Sequence, residues 1–177
     1  SGGLDALHAI CRALPSDFPA AIAIVQHRMK EHGRLLAELL TSWTTLPVCN
    51  ATEGALLRAG TIYVAPSDRH MSITTARTVE LIEGDRIEHV WSSADPLFES
   101  AALAYGDRLT AVVLTGHGGD GANGMFAVDT ASMPAITASS PSLHATSTCS
   151  RSAIRVSPNG AGPGRMGVGL AVRAAGR

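Results

Sequence analysis

Thr110-Ala111-Val112-Val113-Leu114-Thr115-Gly116-His117-Gly118-Gly119-Asp120-Gly121 is the stretch on which the fold turns. Residues 110–114 form a short apolar run of strand length, as expected of a strand buried on both faces. The run opens into a glycine-rich loop that carries one acid, Asp120. Upstream, Asp95 is expected as a helix N-cap with Pro96 at the first helical position. The helix that follows places Leu97, Phe98, Ala101 and Tyr105 on one face. A helix feeding a buried strand that ends in a glycine loop is one unit of an α/β sheet. Ligands of open α/β sheets sit at the carboxyl ends of the strands, so Asp120 is the first residue to suspect of function.

The rest of the chain repeats this pattern toward the N-terminus. Leu4, Leu7, Cys11 and Leu14 recur at helical spacing, and Pro15 ends that helix. Residues 20–26 form a second continuous apolar run, which stops at Gln26-His27. Leu35, Leu36, Leu39, Leu40 and Trp43 mark another helix, and residues 61–65 another strand, ended by Pro66. Residues 71–75 and 79–83 alternate partially and read as an antiparallel ribbon. The expected fold is therefore α/β: a doubly wound, mainly parallel sheet with helices on both faces and a short antiparallel ribbon.

Bulk properties narrow the function classes. The 177 residues suit one domain with a sizeable core. A net charge of −1 gives no basis for nucleic acid or an acidic membrane as partner. No apolar run has the length of a bilayer span. Cys11, Cys49 and Cys149 are scattered and fit neither zinc spacing nor a disulfide framework, which points to a reducing compartment. From residue 130 to 177 there is no Asp or Glu, and five arginines stand among Ala, Ser, Thr, Gly and Pro. That composition predicts a poorly ordered tail, residues 129–177, in which a short piece such as residues 166–172 can add a strand.

Three chemistries fit the loop. His27 ends one buried strand and Asp120 follows another, so in a parallel sheet both face one edge. A histidine oriented by a carboxylate is the general-base half of a hydrolase triad. Ser1, before Gly2 and Gly3 and a helix, is the candidate nucleophile, with the nearby backbone N–H groups as an oxyanion hole. His117 lines the same loop. The plainer reading makes His27 a strand-end histidine and Asp120 a loop or cap residue. A metal held by His27, His117 and Asp120 lacks a dense ligand motif. Gly116-x-Gly118-x-x-Gly121 also matches a dinucleotide fingerprint, but the acid required about 20 positions later is absent. Of the other histidines, His8 and His32 are expected on solvated helix faces, His89 on the surface and His144 in the tail. His70 is expected near the sheet edge.

Several segments together resemble the catalytic domain of the CheB protein-glutamate methylesterases of bacterial chemotaxis. They are Ser1-Gly2-Gly3-Leu4-Asp5-Ala6-Leu7, Asp17-Phe18-Pro19 with Val25-Gln26-His27, Gly60-Thr61-Ile62-Tyr63-Val64-Ala65-Pro66 through Arg69-His70, residues 95–100, and Leu114 through Gly121. They cover roughly residues 1–126, in order, and the resemblance assigns residues 1–128 to the catalytic domain. It implies a cytoplasmic serine hydrolase in a chemotaxis phosphorelay, with triad order Ser…His…Asp, His27 as base, Asp120 as its orienting acid, and no metal or organic cofactor. The implied substrates are glutamyl methyl esters on methyl-accepting chemotaxis receptors, with receptor glutamines as a second substrate. No nucleic acid partner or membrane insertion is implied, and a receiver domain would lie outside this chain. Two departures stand out. The family pattern is Ser, a variable residue, then Gly-Gly, so Ser1 matches the variable position. The nucleophile, and the first strand of the sheet, would lie before Ser1. The tail departs from the family and has the composition of an out-of-frame reading. A catalytically dead, receptor-binding remnant is the alternative.

Overall fold

The computed structural model describes residues 2–26, 35–83, 92–115, 120–132, 135–138, 153–156 and 168–173. Helix α1 spans Gly2–Ala13 and is followed by strand β1, Ala21–Gln26. Next come α2 (Leu35–Thr41), β2 (Val48–Asn50) and β3 (Ile62–Val64). The ribbon strands are β4 (His70–Ile73) and β5 (Val79–Ile82). Then follow α3 (Asp95–Tyr105), β6 (Leu109–Thr115), α4 (Ala122–Ser132), and β7 (Ala135–Ala138), β8 (Ala153–Val156) and β9 (Val168–Arg173).

Seven strands form one sheet in the order β2-β3-β1-β9-β6-β8-β7. All of its pairings are parallel except those of β9, which runs antiparallel to both β1 and β6. β4 and β5 make the separate antiparallel pair, with His70 opposite Ile82 and Ile73 opposite Val79. The fold is thus the expected mainly parallel α/β sheet with a short ribbon.

Strand alternation divides the core into two layers. Ala21, Ala23, Val25, Ala111 and Val113 pack on one face with Leu97, Phe98, Ala101 and Tyr105 of α3 and Val128 of α4. Ile22, Ile24, Val112 and Leu114 pack on the other with Leu7 and Cys11 of α1 and Leu36 and Leu40 of α2. Successive β residues point to opposite faces, which is why both strands read as unbroken apolar runs.

Several sequence expectations shift. Leu35 and Leu39 of α2 are exposed, whereas Leu36, Ala37 and Leu40 face the core. β2 had no distinct signal, because its three residues are only partly covered. The N-cap of α3 is Ala94, without a side-chain cap bond, and Asp95 is already helical. His8 is half-buried, its ring 4.6 Å from that of Trp43. β9 falls on the apolar piece of the tail and occupies the place between β1 and β6. β7 and β8 arise where the composition shows no strand period.

Candidate active site

The sheet fixes where chemistry can occur. β1 and β6 are both antiparallel to β9, so they run parallel to each other. Gln26, the last residue of β1, and Thr115, the last of β6, both pair with Val168 of β9. Two strand spacings of about 4.8 Å therefore separate the two carboxyl ends, which stand level at one edge. His27 follows the first end and the glycine loop follows the second. A short link, residues 14–20, joins α1 to the amino end of β1. The first turn of α1 holds Gly2 and Gly3. Backbone N–H groups in that turn have no intrahelical acceptor.

Asp120 is held at this edge by the start of α3. The Ala94 N–H donates to both carboxylate oxygens, at 3.1 Å to Oδ1 and 3.2 Å to Oδ2. The Ser93 hydroxyl donates to Oδ1 as well. The amino end of a helix carries unpaired N–H groups and a partial positive charge, which suits a carboxylate acceptor. Immediately after Asp120, Gly121 adopts φ +80°, and a Cβ there would lie 3.3 Å from Val113 Cγ2. A left-handed backbone with a tight fit for any Cβ favours glycine at that turn. The chain then enters α4.

Behind Asp120 the polar groups form a continuous set. Ser93 is fully buried, and its Oγ accepts the Asp95 N–H at 3.2 Å. The Ser93 N–H donates to Nδ1 of His70, which is itself buried at the start of β4. Asp95, also buried, accepts the Gly124 N–H at 2.8 Å and so ties α3 to the first turn of α4. Asp95 thus caps α4 across space instead of capping its own helix.

Among the expected site residues, Asp120 stands at the carboxyl edge, and Gly2 and Gly3 open α1. Ser1, His27 and His117 lie outside the described residues, as do Gly116 and Gly118 of the dinucleotide pattern. The metal reading from His27, His117 and Asp120 therefore has one described member. No cluster of three His, Cys, Asp or Glu residues suited to a metal occurs among the described residues. Among them, too, no helix is long and apolar enough to cross a membrane. Sequence reasoning missed Ser93. Its signal was a serine two positions before Asp95-Pro96, where capping had been assigned to Asp95.

The chain is similar to proteins of one family. The CheB methylesterase family model matches residues 1–157. A protein-glutamate methylesterase/protein-glutamine glutaminase of Anaeromyxobacter dehalogenans is 41% identical over 135 residues, covering 76% of this chain and 39% of that protein. A protein of the same name from Saccharophagus degradans is 36% identical over 125 residues, covering 70% of this chain and 34% of that protein. The chain therefore spans little more than a third of the length of these relatives. The CheB methylesterase catalytic domain of Thermotoga maritima superposes with a TM-score of 0.73 at 29% identity, covering 89% of this chain and 87% of that one. With the sheet, the glycine turn and the clamped acid in place, the chain belongs to the CheB methylesterase family.

Proposed function

We propose that this chain is the hydrolase unit of a protein-glutamate methylesterase. It would act on glutamyl methyl esters of methyl-accepting chemotaxis receptors, in the cytoplasm, within a chemotaxis phosphorelay. The observation that carries this reading is the carboxylate of Asp120, clamped by α3 at the edge where the carboxyl ends of β1 and β6 stand level. The names of the relatives support it and add glutaminase activity on the same kind of substrate.

In this mechanism His27 takes the proton of a serine hydroxyl as the serine attacks the ester carbonyl. Asp120 fixes the imidazole tautomer and stabilises the cation that forms. The N–H groups at the start of α1 receive the oxyanion of the tetrahedral intermediate. The methoxide leaves as methanol with the proton from His27, and water then releases glutamate by the same steps in reverse roles. The serine is the residue preceding Ser1 in the family pattern.

The test is methanol release from methylated receptor by the full-length gene product. Asp120→Asn is expected to lower turnover by ~10⁴-fold, the loss typical when an orienting triad carboxylate becomes an amide. Unchanged turnover would reject the triad. The second reading is a receptor-binding remnant of the same family. It predicts that a fluorophosphonate probe leaves the full-length gene product unlabelled while receptor binding persists. Labelling that vanishes in His27→Ala would exclude the remnant.

A further inference from the structure

We propose that Ser93 is a positioning residue for the reaction, setting the orientation of the Asp120 carboxylate, and that His70 is its seat. The proposal rests on the triad reading above and extends it to two residues outside the triad.

Asp120 has a bond about which its carboxylate can rotate, and the Ala94 N–H is shared between both oxygens at nearly equal distances. A shared donor holds the carboxylate in place but does little to choose its plane. The Ser93 hydroxyl bonds Oδ1 alone and breaks that symmetry. Its own direction is fixed in turn, because Ser93 Oγ accepts the Asp95 N–H and the Ser93 N–H is anchored on His70 Nδ1. Full burial of Ser93 removes water as a competing partner. An imidazole that accepts at Nδ1 carries its proton on Nε2. His70 is therefore set as an acceptor toward Ser93. The signature around Arg69-His70 and the segment before Asp95 thus converge on one carboxylate.

A misdirected carboxylate lowers the fraction of His27 in the productive orientation without touching the binding of the ester. The loss falls on kcat and leaves KM in place. The experiment measures receptor-ester hydrolysis by the full-length gene product carrying Ser93→Ala, Asp120→Asn and both together. Ser93→Ala is expected to lower kcat about tenfold to a hundredfold, the span for a hydrogen bond to a charged group, with KM within about twofold. In the Asp120→Asn background the same change is expected to alter kcat by less than about twofold, since residues acting as one unit are not additive. Equal losses in both backgrounds would assign Ser93 a merely structural role and overturn the proposal. An unchanged kcat in Ser93→Ala, alongside an inactive Asp120→Asn, would overturn it and leave the triad standing. An active Asp120→Asn would instead remove the triad itself. The seat is tested by His70→Asn, whose amide oxygen can replace Nδ1 as acceptor. It should retain most of the kcat that His70→Ala loses, and equal losses would reject His70 as the seat.

Discussion

Cys11 shows how placement sets the chemistry of a single residue. It sits on the core face of α1 with 1% exposure, and burial pushes its thiol from 9.0 up to about 11. The neutral thiol is thus favoured in the folded chain. Its contribution is complete below about pH 9 and is lost as the pH rises toward 11. Thermal unfolding followed from pH 8 to 11 should fall more steeply for the native chain than for Cys11→Ala; parallel curves would contradict this. Cys49 is exposed, although partial burial raises its thiol too. Brief treatment with a thiol reagent followed by peptide mapping should therefore find Cys49 modified and Cys11 protected until unfolding. The helical spacing of Leu4, Leu7 and Cys11 made the core face of α1 legible in the sequence. The clamp on Asp120 was not, since it joins residues 23 to 27 positions apart through Ser93, Ala94 and His70.

The decisive contact between elements is that of α3 with α4. Gly124 lies where the two helices touch: a Cβ there would stand 2.6 Å from Phe98 Cβ and 3.1 Å from the backbone of Asp95. Alanine favours a helix by up to ~1 kcal/mol over glycine, but the clash meets a backbone and a Cβ fixed directly to its own backbone, neither of which can swing away. The clash wins. Gly124→Ala is expected to destabilise the chain by about 1–2 kcal/mol, read from the midpoint of urea unfolding. It should also weaken the Asp95–Gly124 bond; a midpoint that holds or rises would show that the helices separate freely. Periodicity predicted both the existence of α3 and its buried face of Leu97, Phe98, Ala101 and Tyr105. It misassigned the cap, because Asp at the start of a helix suits its own N-terminus and a neighbouring one equally. Only packing chose Gly124 as its partner.

For the whole molecule the central question is the middle of the sheet. β9 joins β1 to β6, and its removal would leave two long apolar strands with unpaired backbone groups along their facing edges. A chain ending at residue 167 is expected to lose cooperative thermal unfolding and to associate, as seen by sedimentation. A monomeric chain with an unchanged melting curve would show that β9 adds nothing to the sheet. The doubly wound architecture was readable because β1 and β6 are buried on both faces and carry unbroken apolar runs. The pairing partner of those runs was not, because a strand direction leaves no mark on composition.

The sequence by itself determined the class of sheet, the two buried strands whose ends meet at one edge, and the acid that follows one of them. Periodicity and turn residues are local, and they survive in a linear reading. Tertiary structure alone decided that Ser93 and Ala94 hold Asp120 with His70 behind Ser93, that Asp95 serves α4, and that β9 runs antiparallel in the centre. These depend on hydrogen bonds between distant segments, whose energy is set by approach and direction and not by neighbours in the chain.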